Sequence, residues 1–97
     1  MKRSDNPIAR VGLIANAEKV NCRLAVQEAV SLIRKSGRVV LSDKPTADLG
    51  EIKGVASLDS VALAQQADLL LVFGGDGTIL RVAREVGGFE TPILDNA

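Results

Sequence analysis

Ninety-seven residues suffice for one small domain with a modest core. Hydrophobic content of 46% with 25% charged residues is ordinary globular material and excludes a disordered or membrane-spanning chain. Twelve Lys and Arg balance twelve Asp and Glu, and Phe73 and Phe89 are the only aromatics, so there is neither a basic stripe nor a stacking platform for nucleic acid.

Cys22 has no second cysteine to pair with and suits a reducing, cytoplasmic setting. At helical spacing with Ala25 and Ala29 it reads as a small core residue. The absence of histidine and of any cysteine pair removes a recognisable zinc site. Residues 1–7 carry charges with no apolar segment behind them, so no signal peptide and no membrane partner are expected.

In chain order, residues 10–15 form a short apolar strand, followed by a connecting loop, Asn16-Ala-Glu-Lys19. That loop stands at the strand's carboxyl end, where open α/β sheets bind ligands, so Asn16 and Lys19 are candidates, with a solvated turn as the plainer alternative for Lys19. From 20 to 36 the apolar stripe Cys22, Ala25, Val26, Ala29, Leu32 and Ile33 predicts a helix. Arg34 and Lys35 suit its negative end, and Gly37 ends it. Residues 38–42 are a second strand, and strand-helix-strand at this spacing implies a right-handed crossover. Residues 43–54, with Pro45, Gly50 and Gly54, read as a loop holding one helical turn around 46–52. An extended piece at 55–57 leads to a helix ending at Gln66, capped by Ser57 or Asp59, with a weak stripe of Leu58, Val61, Ala62 and Ala64. A helix over 77–86 presents Ile79, Leu80, Val82 and Ala83 inward and stops at Gly87-Gly88. A last strand, 91–94, is entered through Pro92.

The chain is organised around residues 68–78, Asp-Leu-Leu-Leu-Val-Phe-Gly-Gly-Asp-Gly-Thr. The apolar run 69–73 reads as a buried parallel strand. Three glycines in four positions, Gly74, Gly75 and Gly77, allow positive φ and leave room for a ligand against the backbone. The N–H groups of the following helix point into that turn and favour phosphate. The turn is not a P-loop, and it lacks the third glycine of the dinucleotide pattern. Its peculiarity is Asp76, whose charge repels phosphate unless a metal bridges them or the acid meets a hydroxyl. A carboxylate beside a hydroxyl and a phosphate is the arrangement of phosphoryl transfer. Capping of the helix by Asp76 or Thr78 is an equal alternative for Asp76 taken alone, and the flanking glycines tip the balance to function.

The elements alternate as in an open, mostly parallel α/β sheet of about four strands with helices on both faces, a Rossmann-like class. The natural strand order, 2-1-3-4, brings Asn16 and residues 74–78 into one crevice at the topological switch point. Asp95, about twenty residues beyond the turn, offers a dehydrogenase's ribose-binding acid. The missing glycine and the unexplained Asp76 argue against that. A flavodoxin-like or receiver-type domain is open on fold alone.

Gly74-Gly75-Asp76-Gly77-Thr78 after an apolar strand resembles the signature of the NAD kinase, diacylglycerol kinase, sphingosine kinase and phosphofructokinase superfamily. With Val11-Gly-Leu-Ile-Ala-Asn16, the segment 67–81 and Thr91-Pro-Ile-Leu94, the chain is most similar to bacterial NAD kinases over about residues 10–94. It departs from the family in having Asp95-Asn96-Ala97 where Gly-Val/Ile-Asn is usual. The resemblance implies transfer of a phosphoryl group from ATP or a related donor, with Mg²⁺ or another divalent cation, to the 2′-hydroxyl of the adenosine ribose of NAD, giving NADP. It makes Asp76 the proton acceptor and assigns Gly74, Gly75, Gly77, Thr78 and Asn16 to the nucleotide site. Arg81 corresponds to a basic position near NAD, with a surface pair to Glu85 as its alternative. It further implies that residues 1–97 are the N-terminal α/β domain of a two-domain enzyme whose β-rich C-terminal domain is absent. This domain is expected to be inactive alone, and the full-length enzyme to be a homo-oligomer. The alternatives are a lipid kinase of the same superfamily, which usually carries Asn-Pro and glycine where Asn16-Ala-Glu stands, and a non-catalytic nucleotide-binding module.

Overall fold

The sheet is built outward from two central strands. In the computed structural model, which describes residues 8–16, 22–55, 57–74, 76–88 and 91–96, the strands are Arg10–Ala15 (β1), Val39–Ser42 (β2), Leu69–Phe73 (β3) and Ile93–Asn96 (β4). All pairings are parallel and the order is β2-β1-β3-β4, as the sequence predicts. The helices are Cys22–Lys35 (α1), Lys44–Gly50 (α2), Ser60–Gln66 (α3) and Asp76–Glu85 (α4). Because β1 and β3 are covered on both faces, β3 and all of β1 after its exposed first residue, Arg10, are apolar and do not alternate with polar residues. Val11, Leu13, Ala15 and Phe73 pack with α1 on one face, and Leu49 of α2 lies against that cluster. Ile14, Leu70 and Val72 pack with α3 and α4 on the other.

Each helix follows from local chemistry, with several departures from the sequence expectation. The buried line of α1 is Cys22, Val26, Val30 and Ile33. Leu32, expected inward, is 66% exposed, because steps of four, four and three residues keep one line along a helix and Leu32 falls a position out of it. Gly37, at φ 82°, ends α1. Its N–H donates to the Arg34 carbonyl at 3.0 Å and that of Arg38 to Ile33 at 3.1 Å, the left-handed glycine cap. The region expected to be mostly loop holds a full helix, α2. The Asp43 carboxylate accepts from the Thr46 N–H at 3.0 Å, and Pro45 sits in the first turn, where its missing donor costs nothing. Asp59, not Ser57, caps α3, accepting from the Ala62 N–H at 2.7 Å. Ser57 instead makes a parallel bridge to Ser42. The buried residues of α3 are Leu63 and Ala64, while Val61 is exposed.

In α4, which starts one residue earlier than expected, Thr78, Val82 and Val86 (the residue after the helix) are buried, whereas Leu80 is 64% exposed and Ala83 faces solvent. The stripe at steps of four wins over Leu80, which projects from the far side of the same turn. β4 runs two residues past the expected end, with Pro92 just ahead of it. At the amino ends of the two central strands, Asp68 fastens β3 to the start of β1: its Oδ2 accepts from the N–H groups of Ala9 and Arg10, each at 2.9 Å. Among the described residues no helix is long and apolar enough to cross a membrane.

Gly12, in the middle of β1, lets α3 approach the sheet. A Cβ there would lie 2.7 Å from Leu70 Cδ2 and 3.3 Å from both Ala67 Cβ and Leu63 Cδ2. All three neighbours are buried, so the space cannot be recovered by turning a side chain outward. Gly12→Ala is expected to lower stability by about 1–3 kcal/mol, the usual cost of overpacking. Urea denaturation measures it, and an unchanged midpoint would contradict this packing.

Candidate functional site

β1 and β3 end together at the carboxyl edge. Ala15 pairs with Phe73, and the Asn16 N–H extends the ladder by donating to the Phe73 carbonyl at 3.0 Å. The chain then leaves the sheet through Gly74 at φ 130°. A Cβ on Gly74 would stand 2.7 Å from the Asn16 Cβ, 3.0 Å from the Thr78 Oγ1 and 3.3 Å from the Asn16 backbone nitrogen. Both the dihedral and the crowding therefore require glycine here. The sheet order places this junction at the switch point, where β2 departs to one side and β4 to the other.

The residues singled out in the sequence separate into two groups. Asn16, Gly74 and Thr78 come together, with Thr78 buried. Asp76 and Gly77 open α4 immediately beside them. Gly77 is exposed, and a Cβ there would meet nothing within 4 Å. Gly75 and Lys19 lie outside the described residues, as does the side chain of Asp76. Arg81 stands apart on the outer side of α4. Its Nη1 lies 3.3 Å from the Glu85 Oε1, with both side chains well exposed, so the surface pair foreseen as the alternative is formed.

Arg81 and Glu85 border an open cavity of about 700 Å³ whose other walls include Asp43, Lys44, Ser57 and Asp59, at the starts of α2 and α3. Asp43 and Asp59 hold helix N–H groups, and Lys44 pairs with Asp48 at 3.4 Å. The charged side chains named here are thus engaged within their own helices. A group that the sequence did not single out is the hydroxyl of Thr46, which accepts from the Ala15 N–H at 2.8 Å. The Asp43-Lys-Pro sequence was its available signal, since an acid two residues before proline marks a helix start and puts Thr46 in the first turn.

The chain matches the family described as ATP-NAD kinase N-terminal domain over residues 11–95. It is 40% identical over 87 residues to the NAD kinase of Moorella thermoacetica, a match covering 88% of this chain and 27% of that protein. It is 34% identical over 86 residues to the NAD kinase of Syntrophotalea carbinolica, covering 88% of this chain and 30% of the relative. The chain spans less than a third of the length of the curated relatives it matches.

Gly74→Ala should force both a left-handed strain and a collision with Asn16. A loss of about 1–3 kcal/mol in urea denaturation is expected, with the amide resonances of Asn16 and Thr78 displaced. A variant with parent-like stability and spectra would refute the close approach of the two loops.

Proposed function

We propose, from the premise that this chain belongs to the ATP-NAD kinase N-terminal domain family, that it forms one wall of a site where ATP or a related donor phosphorylates the 2′-hydroxyl of the adenosine ribose of NAD. The observation that carries this reading is the junction of Asn16 and Gly74 at the switch point, with α4 starting beside it at Asp76. The first N–H groups of a ten-residue helix lack intrahelical acceptors and favour an anion. Gly77 leaves open space against the backbone at that helix start. A phosphate therefore has donors to meet, and a bulky nucleotide has room to approach them.

In this reading the Asp76 carboxylate accepts the proton of the ribose 2′-hydroxyl. The freed oxygen attacks the terminal phosphorus of the donor, whose bond to the bridging oxygen breaks, giving NADP and the shortened donor. The protein's part is to position and to orient, as is general for phosphoryl transfer. Mg²⁺ bound with the donor would supply neutralisation of the charge on its phosphates. In this reading the ion enters with the donor, as its companion. Asn16, Gly74, Gly75, Gly77 and Thr78 shape the nucleotide site, and Arg81 reaches ligand oxygens only by leaving Glu85. The short span of this chain against its relatives supports a two-domain cleft whose second wall comes from residues outside these 97.

Two substitutions test the reading in a chain of the relatives' length that carries this domain. Asp76→Asn should lower NADP formation by about 10²- to 10⁴-fold, the usual contribution of a general base, without altering the melting temperature. Near-normal turnover would reduce Asp76 to a helix-capping residue. Gly77→Ala has open space and gains helix propensity of up to about 1 kcal/mol, so stability should hold or rise while NAD affinity falls. Retained affinity in calorimetric titration would show that no ligand approaches the backbone there.

A further inference from the structure

β1 is longer than the strand on one of its sides. The β1–β2 register runs from Arg10 opposite Val39 to Leu13 opposite Ser42, whereas β1 and β3 stay paired through Ala15 and Phe73. Along a strand successive N–H groups point to alternate neighbours. The Asn16 N–H goes to β3, so the Ala15 N–H points to the side that β2 has already left. A buried, unpaired N–H there would be costly. The Thr46 Oγ1 takes the missing strand's place and accepts from Ala15 at 2.8 Å in a buried setting. Thr46 is itself 0% exposed, and its own N–H is held by Asp43. The acceptor is therefore fixed by α2 and by Asp43, the residue that follows β2.

The tip of β1 is clamped from both sides. On one side Asn16 is bonded to Phe73, which directly precedes the glycine turn; on the other, Ala15 is bonded to Thr46. Asn16 has little freedom against Gly74, since even a methyl group would not fit between them. We infer that Thr46 is a positioning residue of the nucleotide site: through Ala15 it fixes Asn16, and through Asn16 the Gly74 turn from which Asp76 is presented. The inference rests on the proposed kinase reading for its reaction, but on the hydrogen bonds alone for its geometry. Loss of the hydroxyl should let the tip of β1 shift, and a misplacement of about 1 Å at a reacting centre can cost about 100-fold in rate.

The test uses a chain of the relatives' length carrying this domain, assayed for NADP formation. Thr46→Val keeps the shape and removes the acceptor, whereas Thr46→Ser keeps the hydroxyl. Thr46→Val is expected to lower kcat by about 10- to 100-fold, with KM for the phosphate donor little changed. Thr46→Ser should restore most of kcat. If Thr46→Val does not fold, Thr46→Cys, with only a weak acceptor, replaces it in the comparison with serine. A folded valine or cysteine variant with the kcat of the serine variant overturns the inference. So does a result in which only serine folds, since the hydroxyl then serves folding alone. Absence of turnover in the unaltered chain sinks the kinase reading and this inference together, whereas turnover insensitive to Thr46 sinks the inference only.

Discussion

The contact of Asn16 with Gly74 constrains most of what surrounds it. At the carboxyl tips of β1 and β3 the two chains approach so closely that the residue after β3 has no room for a side chain and turns away at positive φ. That residue is Gly74. Once the tips are level, the chain after β1 and the chain after β3 must leave in different directions, because β2 lies on one side and β4 on the other. A crevice at the carboxyl edge is then a consequence of connectivity. The identities of the loop residues decide what enters it.

The core packs the strands that carry this junction from both faces. β1 and β3 each carry apolar side chains to both faces, so two clusters grip the same pair of strands from opposite sides. Full burial of a residue such as Leu13, Ile14, Leu70 or Phe73 contributes about 1.5–3 kcal/mol each. Asp68 fixes the opposite end of the pair by accepting two backbone N–H groups of the segment entering β1. A small domain with few aromatics thus concentrates its order along two strands, and the candidate site sits where they end.

How much of this was legible in the sequence depends on the kind of signal. The strands, the crossover order and the glycine junction were readable because apolar runs, helical periodicity and glycine clusters are local and strong. Leu32 and Leu80 were misassigned to the core because a stripe of apolar residues has a centre, and sequence does not say which of two adjacent positions falls on it. Helix α2 was read as a single turn around 46–52 because Pro45 and Gly50 are breakers in a helix interior, though harmless at its two ends. Thr46 was passed over for a different reason. The Asp43-Lys-Pro sequence marks its place in a helix start, but its role depends on β2 ending two residues before β1 does, a fact of register outside that local pattern.

The starts of the helices at the carboxyl edge differ in a way that bears on function. α2 and α3 each begin after an aspartate, Asp43 or Asp59, whose carboxylate accepts one of the free N–H groups. Both are seven-residue helices whose ends are thus satisfied from within. α4 is longer, and the residue ahead of its first position is Gly75, which has no side chain with which to cap. Asp76 stands inside the helix, one place beyond where the capping acids stand in α2 and α3. The sequence thus places an aspartate ahead of two of these helices and a glycine ahead of the third. In the proposed reading a phosphate brought against the glycine turn would supply the acceptor for that third helix start, which would leave the acid at the next position to meet a hydroxyl.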